Sequence, residues 1–296
     1  MPIAPWGPER AADVAALLAD AAPHEGLTTD ELLACCWDDP GLVLGVDAAS
    51  GAPGADAVVA AVVRRAGEHV VGFVRLLAVH PGRRREGIGR RLLAEAEAWL
   101  VDQGATELRL GGEAPFYLWP GVDVRATAML CLAEAAGYEP LGAELDLSLP
   151  VTFRSPPPPD VEVRRVLDDA DVVAVRTLVD DVFPWWWPET ARGIEGAGCL
   201  GAFAARADAL SPGAGGGRAL GFACHSVNRA GWLGPMGTDP AARHGGVGHA
   251  LLGAVCQDLM VAGRRDVEVA WIGPVGFYAS AGASVSRVFR TLRRRP

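Results

Sequence analysis

Thirteen residues, Leu77-Ala78-Val79-His80-Pro81-Gly82-Arg83-Arg84-Arg85-Glu86-Gly87-Ile88-Gly89, return 159 positions later as Met236-Gly237-Thr238-Asp239-Pro240-Ala241-Ala242-Arg243-His244-Gly245-Gly246-Val247-Gly248. Both copies run into apolar residues spaced for one face of a helix: Ile88, Leu92, Ala96 and Leu100, then Val247, Leu251, Val255 and Leu259. The register persists into Glu107–Leu110 and Asp266–Val269. A chain of 296 residues that carries one unit twice is expected to fold as two domains, each large enough to bury a core. The stiff run Ser155-Pro156-Pro157-Pro158-Pro159 cannot continue a helix or enter a sheet interior. It sets the expected division: a first domain over 1–150, a linker over 151–160 and a second domain over 161–296.

Each half reads as strand, two helices, strands, helix, strand, helix, strand. In the first half helices are expected at 9–21, 28–36, 87–103 and 125–136, with strands at 41–47, 57–65, 70–79, 106–110 and 141–149. The second half repeats the pattern, with strands near 161–166, 199–206, 218–227, 232–238 and 267–271. Glycine and proline mark 47–56 and 211–217 as hairpin loops. The second-half copy of the helix after the fifth strand holds Tyr278, and the distance between matching positions there is 145, because the first half has gained Phe116–Asp123 and its surroundings.

Composition removes several chemistries. The net charge is −9, with 27 basic against 36 acidic residues, which disfavours nucleic acid and anionic membranes as partners and suits a cationic small substrate. Every basic residue is arginine, so lysine Schiff-base chemistry and a Walker-type phosphate loop are both excluded. The six cysteines show no C-x-x-C spacing and read as reduced, buried thiols, and the six histidines form no zinc-binding pattern, so no metal is expected. No apolar run is long enough to span a bilayer, and MPIAPWGPER is not laid out as a secretory signal, so a cytoplasmic location is expected.

A strand that runs into R-x-x-G-x-G and a helix presents open backbone N–H groups where the helix dipole favours a phosphate. The third glycine of a dinucleotide fingerprint is missing, since Leu92 and Leu251 stand there. These motifs, with Arg84, Gly87 and Gly89 in one copy and Arg243, Gly246 and Gly248 in the other, resemble the GNAT superfamily of acyl-CoA-dependent N-acetyltransferases. The tandem arrangement is similar to that of mycothiol synthase and some amino-sugar acetyltransferases. The resemblance implies an α/β fold of two GNAT-like domains, each a mixed, mostly antiparallel splayed sheet flanked by helices, with acetyl-CoA (coenzyme A) as cofactor. It further implies that Leu77, Val79, Met236 and Thr238 lie along the pantetheine and thioester. The pyrophosphate would meet Arg84, Arg85, Gly87, Ile88, Gly89 and Arg90 in one copy, and Arg243, His244, Gly245, Gly246, Val247 and Gly248 in the other.

The family's Tyr-x-x-x-Gly-Phe-like motif is matched by Tyr278-Ala279-Ser280-Ala281-Gly282-Ala283, with alanine in the final aromatic position. A tyrosine stays protonated at neutral pH and can give its proton to a departing thiolate. Ala133 occupies this position in the first half, so the second half is expected to be catalytic and the first degenerate, still able to bind coenzyme A. Glu268 is the best-placed amine base; Asp239, His225 and an ordered water are alternatives. Trp185, Trp186 and Trp187, beside an acidic helix, either bind a cationic or sugar-like acceptor or pack the halves together. The expected function is acetyl transfer to a small-molecule amine by direct attack, in a possible homodimer. An amino-sugar or aminoglycoside-like acceptor is one alternative, and a non-catalytic acyl-CoA-binding sensor is another.

Overall fold

The computed structural model describes residues 2–49, 54–196, 198–204 and 217–296. The chain separates into two compact units, Met1–Glu144 with Val288–Pro296, and Leu145–Arg287. Parts of both expected hairpin loops, residues 50–53 and 211–216, lie outside the described residues, as do residues 205–206 of one expected strand.

The first unit contains β1 (Ala4–Pro5), α1 (Ala11–Ala21), α2 (Thr29–Cys36), β2 (Leu42–Asp47), β3 (Ala55–Ala66), β4 (His69–Val79), α3 (Ile88–Asp102), β5 (Glu107–Leu110), β6 (Val122–Asp123) and α4 (Thr127–Ala135). The next strand, β7 (Glu139–Pro150), begins in this unit and ends in the second. In the second unit follow β8 (Val161–Arg165), α5 (Asp169–Val182), α6 (Trp187–Glu195), β9 (Cys199–Ala204), β10 (Ala219–His225), β11 (Trp232–Thr238), α7 (Val247–Val261), β12 (Asp266–Val269) and α8 (Val275–Ser280). The last strand, β13 (Ser284–Arg294), begins there and ends in the first unit.

The sheet of the first unit is ordered β1-β2-β3-β4-β5-β13-β7 and that of the second β7-β12-β11-β10-β9-β8. The pairs β4–β5 and β11–β12 run parallel, while β1–β2, β2–β3, β3–β4, β5–β13, β7–β12, β8–β9, β9–β10 and β10–β11 run antiparallel. The expected α/β class and mostly antiparallel sheets are thus observed. The division differs from a cut at 151–160. Residues 293–294 of β13 pair with Arg109 and Leu108 of β5, while Asp266–Val269 pair with Pro150–Leu147 of β7. Each unit's sheet is therefore completed by a strand that an uninterrupted division of the sequence assigns elsewhere.

Local sequence explains the element ends. Thr28 and Glu31 form a reciprocal cap at α2, and Asp168 accepts the Asp171 N–H at the start of α5. One face of each sheet carries the long amphipathic helix, with Leu92, Leu93, Ala96 and Leu100 fully buried in the first unit and Leu251, Leu252 and Val255 in the second. The opposite faces hold separate cores, Val14, Leu18, Leu32 and Leu76 against α1 and α2, and Val175, Phe203, Phe222 and Cys224 against α5 and α6. All six cysteines are free; five are buried as expected, but Cys131 is exposed because it sits on the outer side of α4.

Candidate active site

Two turns repeat conformation by conformation. After β4 a short turn at Pro81–Arg83 leads to Gly87, which caps α3; after β11 a turn at Pro240–Ala242 leads to Gly246, which caps α7. The side chain of His80 accepts the Gly82 N–H, and that of Asp239 accepts the Ala241 N–H. Arg85 and His244 have φ of +71° and +62°, and Gly87 and Gly246 have φ of +78° and +86°. The first helical bonds run from Arg91 N–H to Gly87 and from Ala250 N–H to Gly246. The amides of residues 87–90 and 246–249 are consequently left without a helical acceptor at the positive end of the dipole, an arrangement that can cradle an anion.

The cradles are lined differently. In the first, Arg85 and Arg90 are exposed, whereas Arg84 donates to the carbonyls of Val79 (3.2 Å) and Ala21 (3.0 Å) and so fastens the strand end. Nothing lies within 4 Å of a Cβ built on Gly87; at Gly246 Pro158 comes to 3.3 Å. Ile88 and Val247 face the core, and Gly89 and Gly248 turn toward Leu132 and Phe277 of the following helices. His249, the last open amide of the second cradle, packs on Phe277 at 4.6 Å and lies 2.9 Å from Ser280 Oγ.

Below each cradle the two parallel strands part. Pairing between β4 and β5 ends at Val74/Leu110, and between β11 and β12 at Leu233/Val269. Both parting strands carry an extra residue just beyond: Arg75 in β4, and the Gly234–Pro235 step in β11. Leu77 and Val79, and Met236 and Thr238, follow on the freed stretches. A bulge at such a point re-aims a side chain. Arg75 and Gly234 stand at matching positions of the repeat. A Cβ on Gly234 would meet nothing within 4 Å. Arg75 is 3% exposed and its side chain enters a buried cluster, donating to Glu113 Oε1 (2.7 Å), Asp39 Oδ2 (2.5 Å) and the Cys35 carbonyl. Burial works against its charge, but Glu113 and Asp39 outweigh burial and hold the guanidinium protonated. This plug escaped the sequence reading, although the mismatch of arginine with glycine across the repeat was there to be seen.

In the second unit Tyr278 lies on α8, buried among Leu251, Val255 and Val269 and edge-on to Phe277 at 4.9 Å. Burial pushes its phenol up to about 12, and among the described residues its hydroxyl has no hydrogen-bond partner. The first-unit counterpart, Ala133, is buried. Val267 and Val269 of β12 pack on α7, so Glu268 between them stands on the opposite face, half-buried, with Ser286 Oγ donating to Oε1 at 2.9 Å. The alternative bases are engaged on the α7 side. His225 lies 3.3 Å from Asp258 of α7 with its pKa lowered by burial, and Asp239 holds the turn and pairs with Arg218 at 3.0 Å.

The three tryptophans separate. Trp186 stacks on Phe183 at 4.7 Å, and Trp187 lies under the Arg176 guanidinium at 4.2 Å; both serve packing within the unit. Trp185 is 63% exposed and alone presents an open face. In the first unit His24, Glu25 and Asp123 come together with ligand atoms within 4.8 Å, an arrangement that the sequence spacing did not suggest. Glu25 accepts the Trp119 indole N–H and Asp123 accepts the Arg125 guanidinium, so this group is already knit by internal bonds.

Residues 12–116 match the acetyltransferase (GNAT) family. No curated protein sequence matches the chain. Among solved structures, it is similar to a GCN5-related glucosamine N-acetyltransferase region of a fungal multi-domain GH3 β-N-acetylglucosaminidase, with a TM-score of 0.78 and 16% identity over 99% of this chain and 38% of that one. The chain thus spans well under half of that relative's length. It is also similar to a tandem GNAT protein from the clavulanic acid biosynthesis pathway, with a TM-score of 0.73 and 18% identity over 99% of this chain and 98% of that one. A GCN5-related N-acetyltransferase from Sphaerobacter thermophilus gives a TM-score of 0.70 and 22% identity over 100% of this chain and 96% of that one. At these identities the likeness establishes the fold.

Proposed function

The chain has the tandem GNAT fold, its first unit matches the GNAT acetyltransferase family, and on that premise we propose that the second unit moves an acetyl group from acetyl-CoA to a small-molecule amine. The carrying observation is the pair of bulges: no side chain stands at Gly234, where a Cβ would meet nothing within 4 Å, whereas Arg75 fills the matching place in the first unit. Tyr278 and Glu268 stand in the same unit as the open bulge, and their counterparts are Ala133 and Arg109. The first unit retains a complete cradle without the acid, which suits it to holding a nucleotide thioester rather than reacting it.

Acetyl-CoA supplies the acyl group as its thioester. The cradle amides of 246–249 take the pyrophosphate, and the freed stretch from Met236 to Thr238 lies along the thioester arm. The acceptor enters from the face carrying Glu268, loses a proton, and its nitrogen attacks the carbonyl carbon as the C–N bond forms. Collapse breaks the C–S bond while the Tyr278 hydroxyl hydrogen-bonds the sulfur, and the second nitrogen proton completes the thiol. The acidic helix α5 and the open face of Trp185 favour a cationic acceptor, amino sugars included.

Thiol release measured across a panel of primary amines and amino sugars tests the reading. Turnover with at least one of them is expected. If no amine is acetylated and acetyl-CoA still raises the melting temperature, a non-catalytic acyl-CoA-binding module takes its place. Gly246→Val is expected to remove turnover and one equivalent of acetyl-CoA in a calorimetric titration, because a β-branched residue is a severe outlier at φ near +86°. Glu268→Gln is expected to lower turnover about 10²-fold at neutral pH, the lower end of the range for a positioned proton acceptor.

A further inference from the structure

The face of the second unit that carries Glu268 holds another carboxyl. Asp146 of β7 is 0% exposed. Its Oδ1 accepts the backbone N–H of Trp271 at 2.9 Å, and Trp271 is held there at φ +51°. Its Oδ2 is buried with no hydrogen-bond partner among the described residues. Ser148, two residues along β7, is directly opposite Glu268, and Leu147 between them packs toward α7, so Asp146 and Ser148 share the face of Glu268. Asp146 comes level with the end of β12, one residue past the last β11–β12 pair at Leu233/Val269, where the strands part.

An ionised carboxylate with one bare buried oxygen is costly unless a proton or a polar partner arrives. The repeat shows what the first unit has in its place. The β13 residues paired with β5 follow those of β7 paired with β12 by 145, which matches Asp146 with Thr291. The second unit therefore has Tyr278, Glu268, Asp146 and an open bulge where the first has Ala133, Arg109, Thr291 and Arg75.

Resting on the acetyltransferase reading, we infer that Asp146 is the proton store of the acceptor site, a positioning residue that works through Glu268. The cationic acceptor meets Glu268, one N–H bond breaks, and the proton passes from the ammonium to the carboxylate pair and resides on Asp146. The neutral nitrogen then attacks, and the stored proton returns to solvent after the amide leaves, so no other reactant is needed. Burial raises the Asp146 pKa to about 7; Glu268 adds to the rise, and the Trp271 N–H, Arg287 and Arg229 oppose it. A store with that affinity fills and empties at neutral pH.

Two measurements test this. The acidic limb of kcat for the wild type is expected near pH 7; in Asp146→Asn it is expected to move below pH 6, with turnover at pH 7 down roughly tenfold. Asparagine keeps the bond to the Trp271 N–H. Because a carboxyl whose pKa is raised on folding costs stability above its unfolded value, Asp146→Asn is expected to melt no lower than wild type at pH 8. A purely structural Asp146 would give the reverse: a lower melting temperature and an unmoved limb. Independently, carbon-13 carboxyl resonances of the wild type without substrate should show one aspartate titrating near 7. If every aspartate titrates below 5, or the limb is unmoved, the inference falls. The resonance readout needs no turnover, so its outcome is separate from whether any amine is acetylated.

Discussion

Replacement of Tyr278 by phenylalanine is expected to lower turnover by about 10²-fold or more while leaving acetyl-CoA binding and the melting temperature near wild type. The ring is what the fold uses: it packs on Phe277 and within the core under α7. Phenylalanine preserves that packing, and the hydroxyl it removes has no hydrogen-bond partner among the described residues, so stability has little to lose. A phenol at about 12 is a weaker acid than a thiol at ~8.5, and it therefore serves the departing sulfur first as a hydrogen-bond donor, while charge develops. The shift also fixes the pH dependence. Raised by burial, the phenol is protonated throughout the neutral range, so no alkaline fall in kcat below about pH 11 is expected from it. Steady-state rates of the two proteins from pH 6 to 10 check both points; equal rates would remove Tyr278 from the chemistry.

Much of the fold was legible because the signals are local. The repeat at 159 located both glycine turns, and helix periodicity and turn residues located α2, α3 and β11 to within a residue or two. The exchange of strands was not legible. Nothing in the alternation of β7 or β13 tells which unit's sheet will take its later half, since strand pairing is decided by tertiary contacts. The same limit applied to the site. Gly87 and Gly246 announce themselves because a left-handed cap favours glycine. Asp146 reads as one polar residue in the alternating run Leu145-Asp146-Leu147-Ser148-Leu149, an ordinary solvated face, until β12 and the Trp271 amide are seen to cover it. Trp185–Trp187 read as one aromatic block, yet the turn at Pro184–Trp186 points them to three different fates.

Arg75→Met is expected to destabilise the protein by about 3–5 kcal/mol, the typical penalty for removing one partner of a buried ion pair. Methionine fills much of the volume, so the loss is electrostatic. Four charges meet around this side chain. Arg75 binds Glu113 and Asp39, and Arg64 also grips Asp39, with Nη1 to Oδ1 at 3.1 Å and Nη2 to Oδ2 at 2.5 Å. The Glu113 side chain is 0% exposed, and its Oε2 already lacks a partner. Without Arg75 it loses its hydrogen-bonded cation and keeps the weaker pull of Arg64, which is bonded to Asp39. The deficit should accordingly follow Glu113. Burial already holds the Glu113 carboxyl above its ordinary pKa against the pull of Arg75, and losing Arg75 raises it further, so Arg75→Met should be least harmful in acid, where Glu113 is protonated, and most harmful above neutrality. Adding Glu113→Gln removes the stranded charge and should recover over half of the loss, which chemical denaturation of the two single variants and the double variant will show. Recovery by the second substitution would mark the cluster as a space-filling plug with balanced charge. A double variant no better than the sum of the single ones would instead show that the arginine holds the bulge through its bond to the Cys35 carbonyl.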